Sequence, residues 1–230
     1  MSSSLDLDPT NPLTPTELIL LNGEKFAEKE SLWDRWTYGS VDLFHVEAKV
    51  SARGVGRVML AAAFLANEQA GAVRLEVGQK KVFFGLFSVT TLFAAPGTDT
   101  VNWPTHSLES SVQQLVGEKV NEVSTVIYNL FGQTIYYPWR ATVEFIQQGM
   151  VRRGLLEVVN EKRLILFTVE HYLLPEHTAA LASQQSLAPI RRSLAVCQQS
   201  RPEVWNLLQE QINKAIGRRT KAHTGGGGGG

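Results

Sequence analysis

Five arginines near the ends of predicted helices are the side chains of this chain best suited to bind a ligand. They are Arg53, Arg57, Arg140, Arg152 and Arg153. A guanidinium group binds phosphate through two parallel hydrogen bonds, and the backbone N–H groups at a helix N-terminus also favour anions. Arg53 and Arg140 lie at or near predicted helix N-termini, so these two are the candidates for a phosphate site. The competing interpretation is that the arginines are solvated surface charge that binds nothing specific.

The segment EKRLILFTVEHYLL is a second candidate, because four large apolar residues follow one another in it. They are Leu164, Ile165, Leu166 and Phe167. Alternation along a strand places two of them on each face of a hairpin, so either protein covers both faces or one face is exposed. An exposed apolar tip beside Lys162 and Arg163 would suit partial insertion into an anionic membrane surface. Packing of the hairpin against helices is the alternative that the sequence leaves open.

The sequence contains no pattern that indicates catalysis. The five histidines lack the HExxH spacing, no carboxylate cluster has the spacing of a calcium loop, and neither a GxSxG elbow nor a P-loop is present. Gly54 and Gly56 lack the later glycine of a dinucleotide-binding fingerprint, and we interpret them as a helix entrance. Cys197 has no activating partner nearby in sequence, which favours a packed, inert thiol. We therefore expect a protein that is not an enzyme and needs no metal ion or cofactor.

The composition, 43% apolar and 19% charged residues, is typical of a globular protein with a hydrophobic core rather than a disordered chain. The 22 basic and 22 acidic residues cancel, whereas nucleic-acid-binding proteins usually have a basic excess. The balance is uneven along the chain. Residues 1–139 hold 10 basic and 15 acidic side chains, and residues 140–223 hold 12 and 7, which gives −5 and +5. The C-terminal part is therefore expected to meet an anionic surface.

Cysteine content and hydropathy bear on the compartment. A single cysteine excludes an intramolecular disulfide and a zinc site of several cysteines, which suits a reducing compartment. The longest apolar run, residues 58–66, has nine residues, whereas a membrane span needs about 20. The N-terminal segment has no charged-then-apolar signal pattern. We expect a soluble intracellular protein, in the cytoplasm.

Hydrophobic periodicity predicts a mainly α-helical fold with two small β-hairpins, each directly after a helix. Helices are predicted at about residues 14–22, 54–70, 107–131, 139–153, 178–196 and 202–216. The hairpins have predicted turns at residues 78–81 and 160–163, and a helix followed by a hairpin is the layout of a winged-helix unit. We expect one domain at residues 13–217. Residues 1–12 and 218–230, the latter with an artificial run of six glycines, are expected to be disordered tails.

Three segments resemble the Golgi phosphoprotein 3 family, whose members occur in eukaryotes and bacteria. LTPTELILL is similar to the family's opening Leu-Thr-x-x-Glu-Leu-Leu-Leu-Leu, and LAAAFLANEQAGAVRLE is similar to its helix–glycine–strand segment. The best match is VEFIQQGMVRRGLLEVVNEKRLILFTVEHYLLPE, which resembles a helix end, the hairpin and a tail leading into a proline. The resemblance covers roughly residues 13–216. It implies a mostly helical, single-domain peripheral membrane protein.

The resemblance also implies a function and a set of site residues. Eukaryotic members bind phosphatidylinositol 4-phosphate through a Trp/Arg pocket, insert an apolar hairpin and hold Golgi enzymes by their cytoplasmic tails. The family's aromatic residue falls on Phe44 and its Arg-Gly pair on Arg53-Gly54. The two-arginine helix start falls on Arg140 and Val143, so one of its arginines is replaced. The implied headgroup site is Phe44, Arg53 and Arg140, with Leu164 to Phe167 inserting, and the protein would serve as an adaptor for membrane proteins.

Two functions of other classes stay open. The two helix-plus-hairpin units could be winged-helix modules whose Arg152, Arg153, Lys162 and Arg163 contact DNA phosphates. Against this, the segment AAAFLANEQAG carries no Lys or Arg, so nucleic acid is not the expected partner. The other alternative is a plain protein-interaction scaffold in which the arginines are only surface charge.

Overall fold

The computed structural model describes residues 13–27, 37, 39–42, 44, 49–131, 138–163 and 167–224. Within these ranges the helices are α1 (Pro15–Leu21), α2 (Ala52–Gln69), α3 (Leu108–Val116), α4 (Val123–Leu130), α5 (Pro138–Arg152), α6 (Glu176–Gln184), α7 (Ala188–Ser200) and α8 (Pro202–Thr224). The strands are β1 (Ser40–Asp42), β2 (Lys49–Ser51), β3 (Val73–Val82), β4 (Phe87–Pro96), β5 (Asn121–Glu122), β6 (Glu157–Arg163) and β7 (Phe167–Leu173). The fold is mainly α, as the periodicity predicts.

The strands form three separate antiparallel sheets. β1 pairs with β2, and β6 pairs with β7 from Glu157↔Leu173 to Arg163↔Phe167. β3 and β4 form a hairpin of ten residue pairs, to whose base β5 adds a short third strand. Two hairpins therefore follow two helices, α2 and α5.

Helix α2 lies at the centre of the fold and packs against α1, α3, α5, α7, α8 and β3. Nine consecutive residues, 59–67, are buried, so no side of the helix faces solvent along this stretch. A helix that is apolar all round is a buried helix. The Ser51 side chain caps its start by accepting a hydrogen bond from the Gly54 backbone N–H, and Gly71 at φ +76° follows its end. The surrounding core runs from Leu13 to Ile216.

Two glycines in the first turns of α2 let other segments approach closely. A Cβ at Gly56 would lie 3.2 Å from Trp139 Cε3, and one at Gly54 would lie 3.3 Å from the Cβ of Ala27. These distances are tighter than ordinary van der Waals contact. These glycines lie at the entrance of the helix, as the sequence predicts. In addition, Gly56 fixes where α5 begins.

Both hairpin turns lie later in the chain than the sequence predicts. Residues 78–81 are inside β3, and the turn of the first hairpin is at residues 83–86. Residues 160–163 are inside β6, and the connection at residues 164–166 lies outside the described part of the chain. Gln79 and Lys81 are exposed residues of the strand β3 rather than turn residues. Gly78 makes room for Phe93, whose Cε2 would lie 2.9 Å from an added Cβ.

Two predicted helices are each divided in the structure. Residues 107–131 form α3 and α4, separated by Gly117 at φ +55° and by the strand β5. Residues 178–196 form parts of α6 and α7, which are separated at residues 185–187 ahead of Pro189. The apolar spacing of three and four continues across each break because both halves bury a face in the same core, so periodicity alone does not reveal the break.

The buried Glu122 in β5 connects the first hairpin to the last helix. It pairs with Lys80 of β3, and its Oε1 accepts a hydrogen bond from Lys214 Nζ of α8 at 3.0 Å. Burial by itself would raise the pKa of Glu122, but the hydrogen bonds and charges of the two lysines outweigh it and lower the pKa to about 2. The ionised carboxylate therefore stabilises the folded state.

Glu122→Gln is expected to lower the free energy of unfolding by about 2 kcal/mol at pH 7, because the folded state then loses its paired carboxylate. A lowered pKa contributes stability above the ordinary value of 4.5 and loses it as the pH falls toward 2. Urea unfolding of both proteins should therefore give a difference that narrows below pH 4.5.

The control is Glu76→Gln, which removes a carboxylate from an exposed pair with Arg74, whose Nε lies 3.5 Å from Glu76 Oε1. It should change stability by less than about 0.5 kcal/mol. Equal effects of the two substitutions, or a Glu122→Gln effect independent of pH, would contradict the role assigned to Glu122.

Candidate functional site

A surface cavity of about 330 Å³ lies where β1, the start of α5 and the end of β7 meet. Phe44 and Arg140, two of the residues that the sequence nominates, both line it. Further lining residues include Asp42, Glu144, His171 and Tyr172. The fold thus brings together an aromatic side chain and a guanidinium group that are far apart in sequence.

The start of α5 holds Arg140 at the cavity. Pro138 is its first residue, where the missing N–H costs no hydrogen bond. Trp139 is buried against Gly56 of α2, and the Thr142 hydroxyl donates to the Pro138 carbonyl at 3.1 Å. Arg140 itself is exposed, so a fixed helix start presents its guanidinium group to solvent.

Two ion pairs dominate the electrostatics of the cavity. Arg140 Nε donates to Glu144 Oε1 at 2.8 Å, and Lys49 Nζ lies 2.9 Å from Asp42 Oδ1. The Arg140 and Glu144 side chains are 60% and 40% exposed, and an exposed i, i+4 pair of this kind stabilises little. An anion can therefore bind the terminal nitrogens of Arg140, or displace Glu144 from Nε, with only a small loss of free energy.

Arg53 lies in the first turn of α2, is partly buried, and is not among the residues that line the cavity. It stands one helical turn before Gly56, which contacts Trp139. Arg53 and Arg140 therefore leave the backbone near the same junction of α2 with α5, and a joint role of the two stays a prediction. Val143, where the resembling family has an arginine, is buried and lines the cavity.

The other candidate arginines differ in their surroundings. Arg152 is exposed, whereas Arg153 is largely buried and forms an ion pair with the buried Glu17. Burial lowers the pKa of Arg153 to about 10. Glu17 Oε2 also accepts the Thr14 backbone N–H at 2.9 Å. Arg153 therefore connects the end of α5 to the start of α1. This structural role differs from both interpretations made from the sequence, which are phosphate binding and solvated surface charge.

The apolar run of the second hairpin falls largely outside the described residues. Leu164, Ile165 and Leu166 are among the residues not described, and Phe167 begins β7, with only its backbone described. Their insertion into a membrane stays a prediction. In contrast, His171 and Tyr172 line the cavity although no sequence pattern indicates a role for them, because only the tertiary packing of β7 near α5 places them there.

Metal binding, membrane spanning and the cysteine thiol are three further features that bear on function. In the part of the chain that the structure describes, no three His, Cys, Asp or Glu side chains are arranged to hold a metal ion. No helix within the same residues is both long and apolar enough to cross a membrane. Cys197 is buried, and burial raises the pKa of its thiol. The packed state predicted for this cysteine is confirmed.

Arg153→Ala is expected to lower the free energy of unfolding by about 3 kcal/mol, because it leaves Glu17 as a buried charge without its ion-pair partner. Arg152→Ala, at the neighbouring exposed position, should change it by less than about 0.5 kcal/mol. Thermal or urea unfolding of the two variants measures the contrast. Similarly small losses of unfolding free energy for both variants would show that the buried ion pair of Arg153 with Glu17 does not stabilise the fold.

Comparison of the chain with protein-family models, with curated proteins and with solved structures gave no significant match. The function of the cavity has to be inferred from the residues that form it.

Proposed function

We propose that this protein is a peripheral membrane protein that binds an anionic phospholipid headgroup in the cavity of Phe44 and Arg140. The observation that carries the proposal is that these two side chains, from separate segments, line one surface cavity of about 330 Å³. That volume is in the range of small-ligand sites, about 300–1,000 Å³. The cavity offers a cation and an apolar wall, which are the groups that a phosphorylated lipid headgroup requires.

The helix adds to the attraction for an anion. Arg140 is the third residue of the 15-residue helix α5, whose first-turn N–H groups carry partial positive charge. Its guanidinium supplies further donors with a geometry that matches phosphate. Phe44, which is partly buried against the core, supplies an apolar surface.

The carboxylates in the lining favour one class of headgroup. Glu144 competes with any ligand for Arg140, whereas the charge of Asp42 is compensated by Lys49. A phosphate monoester carries about −1.5 to −2 charges at neutral pH and therefore competes better than a phosphodiester with one. The proposed ligand is thus a phosphatidylinositol 4-phosphate-like lipid, with Arg53 as a second cation near the junction of α2 with α5.

The position of the second hairpin is consistent with a membrane-bound protein whose cavity faces the lipid headgroups. Residues 171–174 at the end of β7 line the cavity, and Phe167 stands four residues earlier, roughly 13 Å along the strand. Insertion of Leu164 to Phe167 would leave the cavity at the level of the headgroups. Location on the cytosolic membrane face, an adaptor role toward cytoplasmic tails and the absence of enzymatic activity belong to the same proposal and rest on the resemblance to the Golgi phosphoprotein 3 family.

The winged-helix interpretation is the alternative proposal, and helix burial weakens it. In a winged-helix module one exposed helix enters the major groove of DNA. Helix α2, which precedes the first hairpin, is buried over residues 59–67 and has no free side there. The burial of α2 therefore argues against DNA binding by the first helix-plus-hairpin unit.

Arg140→Gln is expected to reduce binding to vesicles containing phosphatidylinositol 4-phosphate about ten-fold, because a charged hydrogen bond of roughly 1.5–3 kcal/mol is lost. Glu144→Gln should strengthen the same binding several-fold, because it removes the competing carboxylate. Flotation with phosphatidylcholine vesicles, with and without phosphatidylinositol 4-phosphate, measures both.

Arg74→Gln is the matched control, since Arg74 is another exposed arginine in an ion pair and lies outside the cavity lining. It should bind like the unchanged protein. The proposal fails if phosphatidylinositol 4-phosphate adds nothing to binding at low salt, or if Arg140→Gln and Arg74→Gln behave alike. Steeply salt-dependent binding to DNA fragments would support the winged-helix alternative instead.

A further inference from the structure

The first hairpin ends in an exposed apolar tip, which we define as Phe83, Phe84, Leu86 and Phe87. Their exposed fractions are 73%, 108%, 77% and 62%. The rings of Phe83 and Phe87 contact each other edge to face with centroids 6.0 Å apart, and they do not reach the core. A contiguous exposed apolar patch of this kind marks an interaction site.

The backbone of the tip shows that the fold itself does not require these aromatic residues. Phe83 and Phe84 have φ of +49° and +56°, followed by Gly85 at +89°. Bulky side chains rarely adopt this left-handed region, where glycine and asparagine are favoured. Strained residues that persist without a packing role are characteristic of functional sites. The two phenylalanines are therefore placed here at the expense of local stability.

The charges next to the tip are all positive. Residues 77–98 contain Lys80 and Lys81 and no Asp or Glu. Lys80 pairs with Glu122 of β5 toward the base of the hairpin, whereas Lys81 is exposed. A Cβ at Gly85 would lie 3.9 Å from Lys81 Cδ, so this lysine lies directly beside the turn. The apolar tip is therefore adjacent to one exposed cation, Lys81.

We propose that the tip of the first hairpin inserts into the interfacial region of an anionic lipid bilayer. The four apolar side chains would occupy the boundary between headgroups and acyl chains, a depth of about 5–10 Å, with Lys81 among the anionic headgroups. This insertion does not depend on the cavity of Phe44 and Arg140, and it concerns a different hairpin from the one that contains Leu164 to Phe167.

A second copy of the chain fits the tip less well than a membrane does. The four side chains expose on the order of 600 Å², below the about 800 Å² that each partner contributes to a specific protein interface. Two tips that met would also bring Lys81 of each copy near the other without a carboxylate from residues 77–98 between them. A lipid surface accepts a narrow convex tip and neutralises its lysine.

The test replaces the tip with residues that suit its backbone. The double variant Phe83→Asn with Phe84→Gly should keep or raise the melting temperature, because both residues tolerate positive φ. Its partition into phosphatidylserine–phosphatidylcholine vesicles that lack phosphoinositides should fall at least ten-fold. Val196→Gln, which removes an apolar side chain 47% exposed on α7, is the matched control and should bind normally. Loss of binding without loss of stability excludes misfolding as the cause.

Direct evidence of insertion comes from a probe at the tip. Cys197 is buried, so an environment-sensitive fluorophore can be directed to Phe84→Cys and, as a control, to Val196→Cys. A blue shift with anionic vesicles at position 84 alone is the expected result. No shift, normal partition of the double variant, or a change in oligomeric state in place of a change in binding would overturn the proposal. Arg74→Gln, which lies outside both the tip and the cavity lining, should leave binding to these vesicles intact. The double variant should still bind more strongly when phosphatidylinositol 4-phosphate is added, so failure at the cavity and failure at the tip give different results.

Discussion

Burial of residues 59–67 of helix α2 on every side is the constraint on which the rest of the fold depends. Small residues at positions 54, 56, 61–63 and 66 let five other helices and a strand approach its surface. Its buried Asn67 accepts the Trp103 indole N–H at 2.9 Å and donates to the Glu109 and Ala63 carbonyls at 3.1 and 2.9 Å. A buried amide needs hydrogen-bond partners of this kind. The helix therefore determines which residues pack beside it, in addition to burying apolar surface against them. The position of Arg140 follows, because α5 begins against Gly56.

Several of the acidic residues that balance the net charge form ion pairs and hydrogen bonds inside the molecule. Glu17 pairs with Arg153, Glu122 pairs with Lys80 and Lys214, and Glu109 accepts hydrogen bonds from the backbone and hydroxyl of Thr16. Burial raises the pKa of Glu109, against these hydrogen bonds. Several acidic residues therefore act as internal connectors. Surface attraction to an anion depends on which cations remain exposed locally, as Arg140 and Lys81 do, and the total charge says little about it.

The sequence predicts the helical class and the bounds of α2 and α5 well, because capping residues and terminal glycines lie beside strong apolar periodicity. It fails at the hairpin turns, since polar residues at 78–81 look like a turn although they form exposed strand. The FFGLF segment held a usable signal, a glycine between aromatic residues, but left-handed phenylalanines contradict ordinary turn preferences. Arg140 could be nominated from its helix position, and Glu144 from the i, i+4 spacing. His171 and Tyr172 could not, because β7 meets α5 only through tertiary packing.

In the two proposals, the cavity and the first hairpin tip supply different kinds of membrane affinity. Apolar side chains at a narrow tip discriminate little among anionic bilayers, whereas a guanidinium in competition with a carboxylate selects among headgroups. Neither contribution alone gives stable attachment, because reversible membrane proteins generally need two signals. A protein that joins an unselective apolar contact to a weak selective one remains in exchange between water and membrane, and the headgroup composition sets where it stays longest. Under the proposed function the weak Arg140–Glu144 pair is an advantage, since an uncompensated cation would hold the protein on every anionic surface.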